Sequence, residues 1–285
     1  MAANMKSVKL RIKSVQNTMQ ITKAMELVAS SKLRRAKERA ETCRPYFNGL
    51  YQTLQDIAEQ NTDFSSVYAG EAKSQKYCYV VVAGDRGLAG GYNANLFKTL
   101  EAKSHGKEFV VLPIGKKAVE YCHRKNIDCV TEDFAEIAQV SVSDCFVMAN
   151  LLCKEFRAGI FGHIELCYTT FISVLTQHPD VVPIIPLIDL TKNREASKGT
   201  RNIILYEPSA QEVFDAIVPE YLAGQIYGSV CESVASELAA RRTAMDAATK
   251  NAGEMIDQLN LYYNQARQAS ITQEITEIVS GGDSR

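Results

Sequence analysis

The sequence predicts an α/β protein in which two long terminal helices flank a central domain with a mostly parallel sheet. Three observations support this fold class. The ends of the chain lack proline, the C-terminal segment repeats small and apolar residues every three or four positions, and the middle alternates short apolar runs with helical stretches. The chain has 285 residues, enough for one large or two modest domains. We divide it into residues 1–60, 71–210 and 211–285.

The two ends are predicted to be long helices that pair with each other. The first 44 residues contain neither proline nor glycine, and the last 66 contain no proline. The N-terminal stripe is Val8, Ile12, Val15 and Met19, followed by a second row at Ile21, Met25 and Val28. The C-terminal seam is Tyr227, Val230, Val234, Leu238, Arg241, Met245, Ala248, Ala252, Met255, Leu259, Tyr262, Ala266 and Ala269. Because an isolated amphipathic helix needs a partner for its apolar stripe, we expect an antiparallel coiled coil.

Charge and length support this pairing. Residues 1–44 carry eleven Lys and Arg against three Asp and Glu, whereas residues 220–285 carry five against nine, so the two ends attract each other. At 1.5 Å per residue the helices would be about 65 and 90 Å long. A compact chain of this size is only about 50 Å across. We therefore expect the helices to project, and the tip at residues 271–279 to be surrounded by something outside this chain.

The middle of the chain is predicted to be a Rossmann-like α/β domain. The runs at 77–83, 109–114, 163–173 and 202–207 are typical of strands, and the stretches at 94–102, 116–125 and 142–156 are typical of helices. Alternation of this kind favours a mostly parallel sheet.

A glycine-rich loop follows the first strand, at the usual position of a ligand in such a sheet. It contains Gly84, Gly87, Gly90 and Gly91. The spacing GxxGxxGG differs from the GxGxxG of dinucleotide-binding proteins, and no Lys-Ser or Lys-Thr pair follows as in a Walker loop. We interpret the loop as a tight structural turn, with Asp85 and Arg86 pairing with each other or contacting a partner. An α/β enzyme that binds a nucleotide at Gly84–Gly91 remains the alternative.

Other residue patterns favour no metal, cofactor or nucleic-acid site. Eight cysteines lack a CxxC pair, which favours buried reduced thiols, and four histidines lack the spacing of a metal site or a triad. No apolar run approaches the roughly 18 to 20 residues of a membrane span. The basic run is Lys32, Arg34, Arg35, Lys37 and Arg39. It has no interleaved aromatic residues, so a solvated or protein-facing surface is favoured over phosphate binding.

Three strings resemble one known family. They are QNTMQITKAMELVASSKLRRA at 16–36, AGDRGLAGGYNANLF at 83–97 and ARQASITQEITEIVSG at 266–281. Together they closely resemble the gamma subunit of the F-type ATP synthase, over essentially the whole chain. The C-terminal signature of that family usually ends in Gly-Ala, where this chain has Gly281 and Gly282.

The resemblance implies a non-catalytic central-stalk subunit of a proton-translocating complex. Its terminal helices would turn inside a ring of three α and three β subunits, and its α/β domain would contact the epsilon subunit and the ring of c subunits. Ion flow would drive the rotation, which forces the β subunits through ATP synthesis. No cofactor and no nucleic acid would bind to the chain. It would associate with the membrane only through the complex. Because its first residues do not look like a targeting peptide, we expect the complex in a bacterial plasma membrane, with this chain on the cytoplasmic face.

The resemblance also implies partner-contact residues. Lys23 and Met25 would lie where the first helix meets the β subunits. Arg241, Gln273, Thr276 and Glu277 would be polar contacts on the last helix and near its tip. Tyr206, Glu207 and Pro208 match the stretch that meets epsilon and the c ring.

Overall fold

The computed structural model describes residues 2–60, 65–187 and 206–282, and these contain five α-helices and four strands. The helices are α1 (Ala2–Gln60), α2 (Tyr92–Ser104), α3 (Lys116–Lys125), α4 (Val142–Arg157) and α5 (Ala210–Gly282). The strands are β1 (Tyr77–Val82), β2 (Phe109–Ile114), β3 (His163–Phe171) and β4 (Gln177–Ile185). A single 3₁₀ turn, Ile137–Gln139, precedes α4. The prediction of an α/β fold with long terminal helices is confirmed.

The chain forms two compact units. The first, here called the helical unit, consists of Met1–Ser31 and Arg241–Arg285. The second, here called the α/β unit, consists of Lys32–Ala240. Both α1 and α5 contribute residues to each unit.

The sheet of the α/β unit has the order β2-β1-β3-β4 and is mostly parallel, as predicted. Strand β1 pairs in parallel with β2 from Tyr77 opposite Phe109, and with β3 from Tyr77 opposite His163. Strand β4 pairs antiparallel with β3 and closes one edge of the sheet. A strand was also predicted at 202–207. Its first four residues lie outside the described part of the chain, and Tyr206 and Glu207 are not in a strand.

Strand β4 was not predicted, because it contains Pro179 and Pro183. Proline has no backbone N–H and is normally excluded from the interior of a sheet. At an edge, one side of the strand needs no ladder partner, so proline is tolerated there. Pro183 lies opposite Glu165, and Pro179 lies opposite Thr169.

Apolar layers cover both faces of the sheet. Side chains of a strand point alternately to the two faces, so Cys78, Val80 and Val82 enter one buried cluster and Tyr79 and Val81 enter the other. The first cluster is completed by α1, α4 and α5, and the second by α2 and α3. The sheet is therefore the middle layer of three, with helices on both faces. Burial on both faces accounts for its nearly continuous apolar strands.

In the α/β unit, α1 and α5 run antiparallel. Leu33 shares a buried cluster with Ala235 and Ala239, while further along α1 the ring of Tyr51 lies 5.9 Å from that of Tyr221. Moving forward along α1 therefore moves backward along α5. Both helices continue through a proline, Pro45 in α1 and Pro219 in α5.

In the helical unit, the buried row of α1 continues without the drift that the sequence suggested. Val8 and Ala29 are buried, and the row between them passes through Thr22. The hydroxyl oxygens of Thr22 and Thr249 lie 2.8 Å apart and share a hydrogen bond. The predicted second row is wrong at Ile21 and Val28, which are 60% and 55% exposed. A hydrogen-bonded threonine occupies the place that hydrophobicity alone assigned to isoleucine.

The seam of α5 is as predicted at Met245 and Ala252, which are buried, and at Leu259 and Ala266, which are partly buried; between these it is displaced by one residue at two positions. Met255 and Tyr262 are half exposed, whereas their neighbours Ile256 and Tyr263 are partly buried. Both versions repeat every seven residues, so periodicity alone does not distinguish them. No helix among the described residues is long and apolar enough to span a membrane.

Candidate functional site

The glycine-rich loop lies between the carboxyl end of β1 and the start of α2. An added Cβ at Gly84 would lie 2.7 Å from Cδ and Oε1 of Glu237, which belongs to α5 and is only 7% exposed. Leu88 and Gly90 have positive φ angles of 63° and 56°. Because real Cβ atoms do not approach another atom so closely, any larger residue at position 84 would force the buried carboxyl end of Glu237 to shift. The turn itself uses the left-handed conformation, which glycine adopts most easily.

Asp85 ties this loop to two other elements. Its Oδ1 accepts hydrogen bonds from the backbone N–H of Lys116 at 3.2 Å and of Ile137 at 3.0 Å. Its Oδ2 accepts one from the N–H of Ala138 at 3.3 Å. A carboxylate thus connects the loop, the first turn of α3 and the 3₁₀ turn.

These contacts do not favour the nucleotide-binding alternative. A phosphate is normally held by free backbone N–H groups at a helix N-terminus. Here the N–H of Lys116 donates to Asp85, and that of Lys117 donates to the carbonyl of Gly84. The loop thus serves as a structural contact with the start of α3.

Of the two alternatives for Asp85 and Arg86, pairing with each other is not observed. Arg86 is exposed, and no ion pair joins it to Asp85 within the described residues. Arg86 is consequently accessible to a partner, while Asp85 is engaged within the chain. Contact of either residue with a partner stays a prediction.

The partner-contact residues predicted on the terminal helices are distributed along the helical unit. Lys23 is exposed, and its Nζ lies 2.8 Å from Oε2 of Glu26. Met25 and Arg241 are partly buried. Near the tip, Gln273 and Thr276 are exposed, with the Gln273 amide donating to Glu277 and the Thr276 hydroxyl donating to the carbonyl of Thr272.

The other predicted contact region lies immediately before α5. Tyr206 is partly buried against the larger core cluster, and burial raises the pKa of its hydroxyl. Glu207 is exposed, and the peptide bond between Glu207 and Pro208 is cis. Ser209 begins α5 as a cap, accepting a hydrogen bond from the N–H of Glu212 at 3.2 Å. Glu207 and Pro208 are therefore more accessible to a partner than Tyr206.

The described cysteines agree with the expected thiols. Seven of them are free, and six of these are buried. Burial raises the pKa of Cys153 to about 11 and that of Cys145 and Cys167 to about 12. Thiols of this kind stay protonated at neutral pH and are poor nucleophiles and poor metal ligands. The described residues contain no cluster of His, Cys, Asp and Glu that could hold a metal ion.

Sequence reasoning missed Glu237 as part of the loop site. Glu237 and Gly84 are far apart in the chain, and only the packing of α5 on the sheet brings them together. The available signal was a single acidic residue inside a run of small residues, SVASELAA at 233–240. An acidic residue among small residues stands out in the sequence, but the run does not identify its neighbour.

Comparison with known proteins identifies the family. A family model described as ATP synthase matches residues 4–284. The ATP synthase gamma chain of Ruminococcus albus is 48% identical over 284 residues, which cover 98% of this chain and 97% of the relative. The sodium ion specific ATP synthase gamma chain of Acetobacterium woodii is 37% identical over 299 residues, covering 99% of both chains.

Solved structures show the same fold. A chain of the Euglena gracilis mitochondrial ATP synthase, in an OSCP, F1 and c-ring assembly, aligns with a TM-score of 0.69 at 16% identity, covering 100% of this chain and 95% of that one. A chain of the central stalk and c-ring of the Tetrahymena thermophila mitochondrial ATP synthase aligns with a TM-score of 0.60 at 22% identity, covering 80% and 99%. Taken with the match over residues 4–284, these likenesses lead to one conclusion: the chain belongs to the ATP synthase gamma chain family.

Proposed function

We propose that this chain is the central-stalk rotor of an F-type ATP synthase and carries no catalytic residue of its own. The shared name of the relatives and the central-stalk assembly among the solved neighbours support this role. Ion flow through the membrane sector turns the chain, and its rotation drives the β subunits through ATP synthesis. An asymmetric shaft achieves this only through different contacts with otherwise equivalent sites.

One observation carries the proposal: the tip of α5 has an apolar stripe that nothing in the described chain covers. Every residue from 271 to 278 is exposed. Ile271, Ile275 and Ile278 are 48%, 56% and 75% exposed, and at 100° per residue they lie on one face of the helix. Exposed apolar stripes of this kind usually mark a protein contact. A bearing formed by surrounding subunits would bury it.

Further exposed apolar residues support a surrounding ring along the rest of the helical unit. Leu10 is 62% exposed, Leu27 is 60% exposed and Leu261 is 63% exposed. Two paired helices cannot enclose all of their apolar residues, since only the facing seam is buried. We assign the α and β subunits as the partners of this surface, with Lys23 and Met25 among the contacts with β.

The epsilon subunit and the c ring are the proposed partners of the segment before α5. Glu207 is exposed there and is available for contact, whereas Tyr206 supports the segment from the core side. The chain would then be peripheral to the membrane, on the cytoplasmic face of a bacterial plasma membrane, and attached only through the complex.

The test is reconstitution of ATP hydrolysis from the purified chain with α and β subunits. Ile275→Asp places a charge in the stripe. Because burying an unpaired charge is unfavourable, we expect it to weaken assembly by about ten-fold or more, about 1.4 kcal/mol. Ala269→Asp is the matched control, since Ala269 is also exposed but lies on nearly the opposite face of α5.

The outcome separates the rotor from other roles. Hydrolysis that depends on the chain and is lost with Ile275→Asp, but retained with Ala269→Asp, is the expected result. If the wild-type chain forms no complex with α and β, the proposed function is wrong. If the wild-type chain, Ile275→Asp and Ala269→Asp support equal hydrolysis, the stripe at the tip of α5 is not a contact with the α and β subunits.

A further inference from the structure

Two thiol groups of the α/β unit lie against each other. Cys122, near the end of α3, is 1% exposed, and Cys129, which follows the helix, is partly buried. A hydrogen bond joins the two thiol groups. Cys122 belongs to the buried cluster on the α2 and α3 side of the sheet, and Cys129 packs against that cluster. The sequence showed scattered cysteines, whereas the fold brings the sulfur atoms of these two into contact.

The backbone holds these two cysteines, here called the thiol pair, in place. After α3, Asn126 adopts the left-handed conformation, with a φ angle of 53°. The N–H of Ile127 then donates a hydrogen bond to the carbonyl of Cys122 at 3.0 Å. The chain continues parallel to β2, where Cys129 is the bridge partner of Val111. The turn between the two cysteines is therefore fixed at both ends, and the contact between their sulfur atoms is built into the fold.

The members of the thiol pair differ in access to solvent. Cys129 is partly exposed, so a small oxidant can reach it, whereas Cys122 is closed off. Burial raises the pKa of both thiols. Because the thiolate is the form that reacts, oxidation is slow at neutral pH and becomes faster as the pH rises. An oxidised sulfur at Cys129 then has a neighbouring thiol of its own chain to react with.

We propose that the thiol pair is a redox modification site, at which Cys122 and Cys129 form a disulfide when the chain meets a peroxide. One oxygen of hydrogen peroxide is transferred to the sulfur of Cys129, giving a sulfenic acid, and the other leaves as water. The sulfur of Cys122 attacks the sulfenic acid, the S–S bond forms, and a second water leaves. The two thiols lose two electrons and two protons in total, and the peroxide is reduced to two waters. The inference concerns the α/β unit alone and does not depend on the rotor role.

The experiment treats the full-length wild-type chain with hydrogen peroxide under native conditions. The chain is then denatured, its free thiols are alkylated, and it is digested with trypsin for mass spectrometry. Trypsin cuts after Arg124 and Lys125, so a disulfide in the thiol pair links two peptides that otherwise separate. We expect these linked peptides as the main product, and dithiothreitol should restore both thiols. The rate should rise about ten-fold from pH 7 to pH 8, because the thiolate fraction does so below the pKa.

Variants separate the two steps of the reaction. In Cys122→Ser, the sulfenic acid at Cys129 has no thiol to react with, so dimedone should label Cys129 at least about ten-fold more than in the wild-type chain. Cys129→Ser should abolish the linkage. Cys167→Ser is the matched control, since it removes another buried thiol of the same cluster, and it should form the disulfide at the wild-type rate. Circular dichroism spectra show whether each variant is folded.

Two results would overturn the inference. If both thiols of the folded wild-type chain stay free under conditions that oxidise the urea-unfolded chain, the fold does not make the thiol pair reactive. Equal yields of disulfides with other cysteines, or between two chains, would mean unspecific oxidation. Both measurements use the wild-type chain, so a variant that fails to fold does not affect them.

Discussion

Asp85 provides the sharpest test of the loop, because the structure assigns it a role within the chain. Asp85→Ala removes the acceptor of three backbone N–H groups, those of Lys116, Ile137 and Ala138. A hydrogen bond to a charged group contributes about 1.5–3 kcal/mol when buried. Asp85 is only half buried, so water replaces part of each bond. We expect a total loss of about 2–4 kcal/mol in the free energy of unfolding of the α/β unit.

Two measurements check this prediction. Urea unfolding followed by circular dichroism gives the change in stability, and hydrogen exchange by mass spectrometry should show lost protection around Ile137 and Ala138. Arg86→Ala is the control, because Arg86 is exposed next to Asp85. If Asp85 served only as a partner contact, Asp85→Ala would match Arg86→Ala within about 0.5 kcal/mol, and the structural role would be wrong.

Two further predictions concern a glycine and a partly buried carboxyl group. Gly84→Ala should destabilise the α/β unit by about 1–3 kcal/mol in urea unfolding, because its Cβ would overlap Glu237. Gly87→Ala should stay within about 0.5 kcal/mol of wild type, since nothing lies within 4 Å of an added Cβ; equal effects would refute the packing argument. Burial raises the pKa of Glu165 despite Lys107 nearby, so the folded state binds this proton more tightly than the unfolded state. Stability should therefore fall as pH rises from about 4.3, the ordinary pKa of glutamate, through the raised pKa, and Glu165→Gln should reduce that slope in thermal unfolding; an unchanged slope would contradict this.

The residue pattern along the chain was enough to predict those strands and helices that are formed by a continuous apolar or amphipathic run. The strands at Tyr77–Val82 and Phe109–Ile114 are apolar runs buried on both faces, and helix α3 matches its predicted bounds of 116 and 125. Strand β4 could not be predicted in the same way, because its prolines indicate a loop unless the strand lies at an edge. The position of a strand within a sheet is not a local property.

In the terminal helices, the sequence predicted the helices themselves but not every residue that is buried between them. The absence of breakers and the seven-residue repeat were enough to predict two long paired helices. Ile256 rather than Met255, and Thr22 rather than Ile21, is the more buried residue of each pair, and this depends on what lies opposite on the other helix. Hydrophobicity ranks isoleucine above threonine, but a threonine that meets another threonine satisfies both hydroxyl groups at the contact.

The sequence by itself determined the family, the α/β class and the two long terminal helices, since these follow from motifs and periodicity along the chain. Only the tertiary structure decided that Gly84 packs against Glu237 and that Asp85 holds α3 and the 3₁₀ turn. The physical reason is that these properties depend on distances between residues remote in the chain. Burial and close approach arise when such remote elements pack together, as α5 does with the glycine-rich loop at Gly84.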